Sequence, residues 1–540
     1  MAEEKVEVYF IAMAFNKNVK EERKMKILFR IIFLCLILAC SPSHVFGGYV
    51  SCGTNCYKAD SVSQEDVQAA IAAATASGGE VRIPAGTATY TTTFSVWSAP
   101  KLKNDLNIVG AGQGVTVIKD GTNSSSGAVF AFEVNGAVRF EMSGMTLISK
   151  TGTNSSGSLF IRGTSKSVLV HNMTFDMTGI TGGRMVTWGT QNDSSQGGGV
   201  FYVCTWNNPT NTSQGISFHG MTSPFWVDDP SWGSANTKYV ENCFFNYLAG
   251  PGDGAFDAYN GAKAVFRYNK VFGTSVGWHG NDSGISGHSF EIYKNEFTSL
   301  LNPIFAMHIR GGTALIYDNT FSGAYPKYFV LAVYRGCQSY WLKTWAATKG
   351  NTWCAYGFPG DGSSDESGYP CKQQPGTTGA EGLTNWPVIE WNNSHGGGVN
   401  NMGFAENKNF TPPMCTSTYT QRNYIKEERD FLNHSTCSDG VDNDGNGSSD
   451  MSDSRCATFW DNVNNKAKNY TPLTYPHPLR LSATTTVTPP PPPPPPPTVT
   501  APPPPPPPTV TAPTTTTTTP TKTTTTKKKR IWIWNRLWNR

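Results

Sequence analysis

KAVFRYNKVFGTSVGWHGNDSGISGHSFEIYKNEFTSLLNPIFAMHIRGGTALIYDNTF, residues 263–321, says one thing three times. In VFRYNKVF, FEIYKNEF and ALIYDNTF, β-branched and aromatic residues lead to an asparagine, and an apolar residue follows shortly after. Looser copies precede them: VRFEMSGMTL, VLVHNMTF, VFYVCTW and YVENCFF. Taking Gly144, Asn172, Val203, Asn242, Asn269, Asn295 and Asn319 as equivalent gives steps of 28, 31, 39, 27, 26 and 24 residues. A unit this short cannot enclose a core, so each must bury its apolar face on its neighbours. Short strands and Gly/Asn/Ser turns at this period fit the coils of a parallel β-helix. The leucine spacing of leucine-rich repeats and the blade signatures of propellers are absent.

Composition agrees. Only 15% of the 540 residues are charged, with 54 Gly and 36 Pro, which suits an all-β body of short strands and tight turns. The formal charge of +4 comes from the ends, because residues 41–480 hold 29 Lys/Arg against 34 Asp/Glu. A body with a balance of −5 excludes nucleic acid as the expected partner.

Both ends are distinct from the body. MKILFRIIFLCLILAC, from Met25, places Lys26 and Arg30 ahead of an apolar run from Ile31 to Leu38, the pattern of an export signal. Its ending resembles the bacterial lipobox, which implies that Cys40 is lipidated and holds the chain to a membrane; an ordinary signal cut near Gly47 or Gly48 is the alternative. The expected location is secreted or cell-surface. Residues 481–526 are a Thr/Pro-rich spacer of polyproline type, and 527–540 form a basic aromatic tail.

SVSQEDVQAAIAAATASGG, from Ser61, predicts a helix. Ser63 stands at its N-cap, Asp66 at the capping-box position, and Val67, Ala70, Ile71 and Ala74 on one face. This helix, then GGEVRIPAG and LNIVGAGQGVTVI, then the asparagine ladder, resemble the right-handed parallel β-helix proteins of the pectate-lyase-like superfamily. The likeness covers residues 57–330 and extends toward 480. It implies a helix capping the first coil, stacked Asn side chains, and a single-chain protein whose partner is a polysaccharide. An insertion rich in Trp and Tyr is expected near 335–400.

DGAFDAYNGAKAVFRYN, residues 253–269, resembles the calcium-binding segment of family-one pectate lyases, which implies Asp253 and Asp257 as ligands in a groove. Asp228, Asp229 and Glu241 are candidates to complete the shell, since calcium takes six to eight oxygens. The arginine pair of those enzymes is missing from NDSGIS, Asn281–Ser286, so their catalytic apparatus does not carry over. His279, Arg310 and Asp282 are the catalytic candidates. A lyase needs a neutralised carboxylate and a base, whereas a glycosidase needs two carboxyls, for which Asp257, Asp282 and Glu291 compete. Three readings stay open: a calcium-assisted uronate lyase, a glycoside hydrolase, and a non-catalytic adhesin or carbohydrate-binding protein on a Pro/Thr stalk.

Ten cysteines remain beyond Cys35 and Cys40, an even number that fits disulfides in an exported chain. Cys437 and Cys456 flank CSDGVDNDGNGSSDMSDSRC and are expected to pair; Cys204 and Cys243 occupy equivalent repeat positions and are expected to bridge adjacent coils. Within 437–456, Asp442, Asp444, Asn446 and Asp450 fall at calcium-loop spacings, with Asp439 and Asp453 outside them. Calcium is the expected cofactor there.

Overall fold

The structure, a computed structural model, describes residues 48–331 and 374–481 apart from short intervals, among them 191–195, 221–229, 249–253, 281–285, 300–304, 379–383, 400–403, 407–424 and 444–445. Cys40 with its leader, residues 335–373 of the insertion, the spacer and the tail lie outside the described residues. So do Asp228, Asp229, Asp253, Asp282 and Asp444.

Each coil contributes three short strands to three faces. Lys238–Glu241, Phe244–Tyr247 and Phe256–Tyr259 make one coil, and Lys263–Arg267 begins the next, pairing in parallel with the first. The first and second faces merge into one 22-stranded sheet because Phe140–Ile148 and Val168–Asp176 run through both. The third face is a six-stranded sheet ending at Phe256–Tyr259. It is followed by a four-stranded sheet that starts at Val276–Trp278 and is joined to the six-stranded sheet by the bond from His279 N to Ala258 O, 2.8 Å. The chain is a parallel β-helix.

The bend between the first two faces needs a backbone turned to positive φ, and then a side chain pointing inward. Gly144, Asn172, Val203, Asn242, Tyr268, Lys294, Asp318 and Asn392 supply the turn, with φ of 51–71°. Met145, Met173, Cys204, Cys243, Asn269, Asn295, Asn319 and Asn393 follow and are buried. The expected ladder is therefore corrected by one residue. Asn172 and Asn242 stand in the turn column, while Asn269, Asn295 and Asn319 stand in the inward one. Asparagine suits both places, tolerating the left-handed region in one and pairing with backbone in the other.

The inward asparagines form a continuous hydrogen-bonded spine. Oδ1 of Asn269, Asn295, Asn319 and Asn393 accepts the backbone N–H of Cys243, Asn269, Asn295 and Asn319 at 2.9, 2.9, 3.1 and 3.0 Å. Each Nδ2 donates to a carbonyl of the preceding coil: Val240, Phe266, Ile292 and Ile316, at 2.8–3.0 Å. The last rung spans 74 residues, so the insertion leaves the stack in register.

Cys204 and Cys243 extend this spine as free thiols, correcting the expected disulfide. Neighbouring parallel strands send equivalent side chains out side by side, and each sulfur is taken up by hydrogen bonds to backbone of its own coil and of the adjacent one. The thiols donate to Tyr202 O at 3.4 Å and Glu241 O at 3.3 Å, and Cys243 Sγ accepts from Cys204 N at 3.4 Å. Disulfides join Cys437 to Cys456, and Cys52 to Cys56 across the first hairpin.

Inside, rings stack rung on rung: Phe175 on Trp206 at 4.7 Å, Trp206 on Phe245 at 4.5 Å and Phe297 on Phe321 at 5.0 Å. The helix Gln64–Ser77 closes the open end with Val67, Ala70, Ile71 and Ala74 buried. Ser63 Oγ accepts Asp66 N at 3.2 Å, but the Asp66 carboxylate takes Gly48 N and the Ser61 hydroxyl, so the reciprocal half of a capping box is not made.

The outer side of the first face is covered by the segment from Tyr470 to Arg480. Glu241 is fully buried with Arg267; Arg480 Nη1 and His477 N reach its other oxygen at 2.9 and 3.2 Å, and Arg267 Nη1 donates to Leu473 O at 2.6 Å. Tyr470 donates to Glu291, whose carboxyl burial pushes upward in pKa. Glu241 is thus a structural ion-pair partner and not a groove ligand, and Glu291 is closed to substrate.

The one-residue correction is testable by urea unfolding. Asn295→Ala leaves Asn269 N and two carbonyl bonds unmade and should cost about 1–3 kcal/mol. Lys294→Gly, one residue earlier, relieves a positive φ and should stay within about 1 kcal/mol of the wild type. Equal losses would contradict the assignment.

Candidate functional site

The third face carries the polar cluster. Ile216, Phe218, Phe256 and Ala258 point into the core, so strand alternation turns Ser217, His219, Asp257 and Tyr259 outward. Register sets Ser217 beside Asp257 and His219 beside Tyr259. In the next sheet Val276, Trp278, Met307 and Ile309 point inward, leaving His279, His308 and Arg310 to the outer side.

Asp257 is the hub. Its Oδ2 accepts from Gln214 Nε2 at 2.9 Å and Tyr259 OH at 2.8 Å, and pairs with His279 Nε2 at 2.8 Å. Its Oδ1 accepts Ala258 N at 2.9 Å and faces Arg310 Nη2 at 3.6 Å. Burial works against the charge, but the pairing with His279, and then Arg310, holds the carboxyl below its ordinary range. Arg310 is fixed by Nε donating to Trp278 O at 2.9 Å, and His279 stacks on Tyr259 with centroids 4.1 Å apart.

These contacts decide the calcium question for this residue. Both oxygens of Asp257 are already engaged, and the neighbouring charges are cationic, so the shell does not fit a metal ion. Asp257 positions His279, Tyr259 and Arg310 instead. His279 and Arg310, chosen from sequence, do converge on it.

A second group adjoins the first. Arg184 Nη1 donates to Ser217 Oγ at 2.8 Å and lies 3.1 Å from His219 Nε2; Ser217 Oγ lies 3.0 Å from the same nitrogen. A guanidinium only donates, so Nε2 accepts and the imidazole proton sits on Nδ1. There the Asn260 amide lies 3.1 Å away, and its oxygen completes the bond when turned to the ring. Burial, then the charges of Arg184 and Lys238, lower the His219 pKa to about 3. Burial and the Asp257 charge raise that of Tyr259, keeping its phenol protonated. Arg184 also lies over the Tyr259 ring, 5.7 Å from its centroid.

Sequence patterns did not mark Arg184, Gln214, Ser217, His219 or Asn260. The signal was present in ISFH, Ile216–His219, whose alternation on a third-face strand exposes Ser217 and His219.

The acidic loop stands apart. Asp442 accepts Asn446 N at 3.1 Å and Gly447 N at 2.8 Å, Asp450 accepts Gly440 N at 2.9 Å, and Asp439 accepts Val441 N at 2.9 Å. Asp453 is buried and caps the helix Ser454–Phe459, accepting Arg455 N at 2.6 Å and Asn446 Nδ2 at 2.5 Å. Glu428, Asp453 and Cys456 cluster beneath, but the Cys456 sulfur is spent in its disulfide. The set outside is all oxygen, which fits a hard cation in donor type.

No family model and no curated protein matches the chain. Among solved structures, an alginate lyase from Paenibacillus sp. str. FPU-7 aligns over 49% of this chain and 95% of its own, at 14% identity and a TM-score of 0.29. A mutant tailspike protein of E. coli bacteriophage HK620, in complex with a pentasaccharide, aligns over 65% of this chain and 54% of its own, at 14% identity and a TM-score of 0.35. The A-module of a mannuronan C-5 epimerase from Azotobacter vinelandii aligns over 50% and 96%, at 16% and 0.20. TM-scores this low bear no weight; the fold stands on the strand register.

Stability should carry the signature of this cluster. With its folded pKa below the ordinary 6.5, His219 binds fewer protons folded than unfolded between about 6.5 and 3. Its contribution is complete above pH ~6.5 and is lost as the pH falls, and Asp257 adds a further loss below pH ~4. Melting temperature should be flat above neutrality and decline in acid, and His219→Gln should make the decline between pH ~6.5 and ~4 shallower. An unchanged slope in the variant would contradict the neutral assignment.

Proposed function

We propose that the protein binds an extracellular, uronate-containing polysaccharide along the outer side of the third face and cleaves it by β-elimination. The observation that carries this reading is Arg184. Its guanidinium is half-buried with no carboxylate partner among the described residues, its Nε has no hydrogen-bond partner, and its neighbours are a neutral imidazole and a protonated phenol. Even a half-buried cation loses hydration that a ligand's counter-charge would restore, and a planar fork suits a carboxylate.

Elimination then has its parts. Arg184 takes the uronate carboxylate. His219 Nε2 accepts the proton next to it, the electron pair of that C–H bond forms the new double bond, the bond to the leaving glycosidic oxygen breaks, and Tyr259 OH, turning its proton from Asp257 Oδ2 to that oxygen, protonates it. Asp257, with His279 and Arg310 around it, holds the phenol in place. A glycosidase would need a second carboxyl; among the described residues the cluster has Asp257 alone, and both its oxygens are occupied.

Calcium has a different place. Asp439, Asp442 and Asp450, with the loop's carbonyls, would hold it in the disulfide-closed loop, where the ion would stabilise the coil end and leave the groove's chemistry to Arg184. Export and attachment through Cys40 complete the proposal.

Incubation with a panel of uronate polymers tests it, with ultraviolet absorbance reporting unsaturated ends. One polymer should give signal, and Tyr259→Phe and His219→Gln should each lower the rate about 10²–10⁴-fold. Chelator should lower the melting temperature while the rate at a temperature below melting persists. Binding of a polymer with no absorbance change would turn the reading to the adhesin.

A further inference from the structure

A neutral histidine pressed by a cation is a poor base, and here the same cation sits on the nitrogen that must act. Arg184 Nη1 reaches both Ser217 Oγ and His219 Nε2, at 2.8 and 3.1 Å, so the lone pair required for proton abstraction is occupied while the groove is empty of substrate. Among the described residues the Nε of the same guanidinium has no hydrogen-bond partner. Arg184 has better partners available than the ones it holds, and a carboxylate is the ligand that would supply them, because its two oxygens match the fork and its charge cancels the cation.

We propose that Arg184 is a substrate-released lock on His219: a uronate carboxylate draws the guanidinium off Nε2, and the binding event itself switches the base on. This rests on the elimination reading and adds a consequence to it. The free protein keeps a blocked base. A neutral sugar occupying the groove leaves the block in place, so discrimination between uronate and neutral polymers occurs at the chemical step as well as at binding. Ser217 Oγ, 3.0 Å from Nε2, loses the Arg184 donor at the same moment, and its hydroxyl turns from Nε2 for the lone pair to take the substrate proton.

The groups facing His219 are accounted for. Arg184 comes from the strand Ile180–Trp188; Asp257, Tyr259 and Asn260 from the next coil; His279 from the coil beyond; and Lys238 lies close enough to add its charge. Asp257 is satisfied by its own donors, and Tyr259 stacks on the His219 ring at 5.2 Å. Arg184 is the only one of these cations within hydrogen-bond distance of Nε2 among the described residues. Burial is the larger cause of the low His219 basicity and stays in place; drawing the Arg184 charge off Nε2 removes the next largest and makes the ring more basic.

The test is an imidazole titration by NMR on the full protein with isotope-labelled histidine, the His219 signal identified by its loss in His219→Gln. In chloride the wild type should keep His219 neutral down to well below the ordinary imidazole range, and Arg184→Gln should shift the midpoint up by at least one pH unit, roughly tenfold in proton affinity. Replacing chloride with glucuronate at equal ionic strength should raise the midpoint in the wild type and leave it in place in Arg184→Gln. Arg184→Lys, which keeps the charge and loses the fork, should hold a low midpoint with a weaker response to glucuronate, and serves if the Gln variant does not fold. Equal midpoints in wild type and Arg184→Gln, or no response of the wild type to glucuronate, overturn the lock. A carboxylate-dependent shift without cleavage of any polymer would preserve the lock and remove the lyase; cleavage with an immobile titration would do the reverse.

Discussion

Everything in this molecule depends on coils staying in register, so that a residue lies about 4.8 Å from its equivalent one coil away. The spine of Asn269, Asn295, Asn319 and Asn393 enforces this at the tightest bend, where backbone N–H groups of one coil would otherwise be buried without acceptors. Each amide bonds both neighbours, so a slip of one residue breaks several bonds together. Toward the N-terminal coils the same column is filled by Met145, Met173, Cys204 and Cys243, and apolar packing and thiols take over the role.

Register also distributes chemistry. On the first face, Glu241, Arg267 and Glu291 stack near one another, and the chain's last described segment closes over them with Tyr470, Leu473, His477 and Arg480. Those charges are spent on holding that segment in place. The third face receives no such cover from that segment in the contacts described. It keeps Arg184, whose charge meets no acid among the described residues, next to a histidine held neutral by burial and that same charge. The difference between a structural and a chemical cluster here is whether the positive charges find carboxylates within the protein.

Much of the fold was legible because periodicity is a property of spacing, which survives in VFRYNKVF, FEIYKNEF and ALIYDNTF. The capping helix was legible from Ser63 and the spacing of Val67, Ala70, Ile71 and Ala74. The register was off by one residue from Gly144 through Asn242, because asparagine meets two separate demands at adjacent positions and only the paired strands distinguish them. The Cys204–Cys243 pairing failed for a related reason: equivalence in a repeat means side-by-side, and a disulfide needs side chains that face one another. Of the site, Asp257 was visible through a likeness to a calcium-binding segment, and His279 and Arg310 as polar residues in strand-rich segments. Arg184 and His219 were not, since their significance lies in what each lacks or shares, an absent acid and a shared nitrogen, and neither is a spacing.

The central claim is that stacking brings residues of separate coils into one cluster around Asp257. A double-mutant cycle between Asp257→Asn and His279→Gln, read by urea unfolding, measures that contact across 22 residues of sequence. The account predicts a coupling of about 1.5–3 kcal/mol, as for a hydrogen bond to a charged group. Additivity within about 0.5 kcal/mol would contradict it.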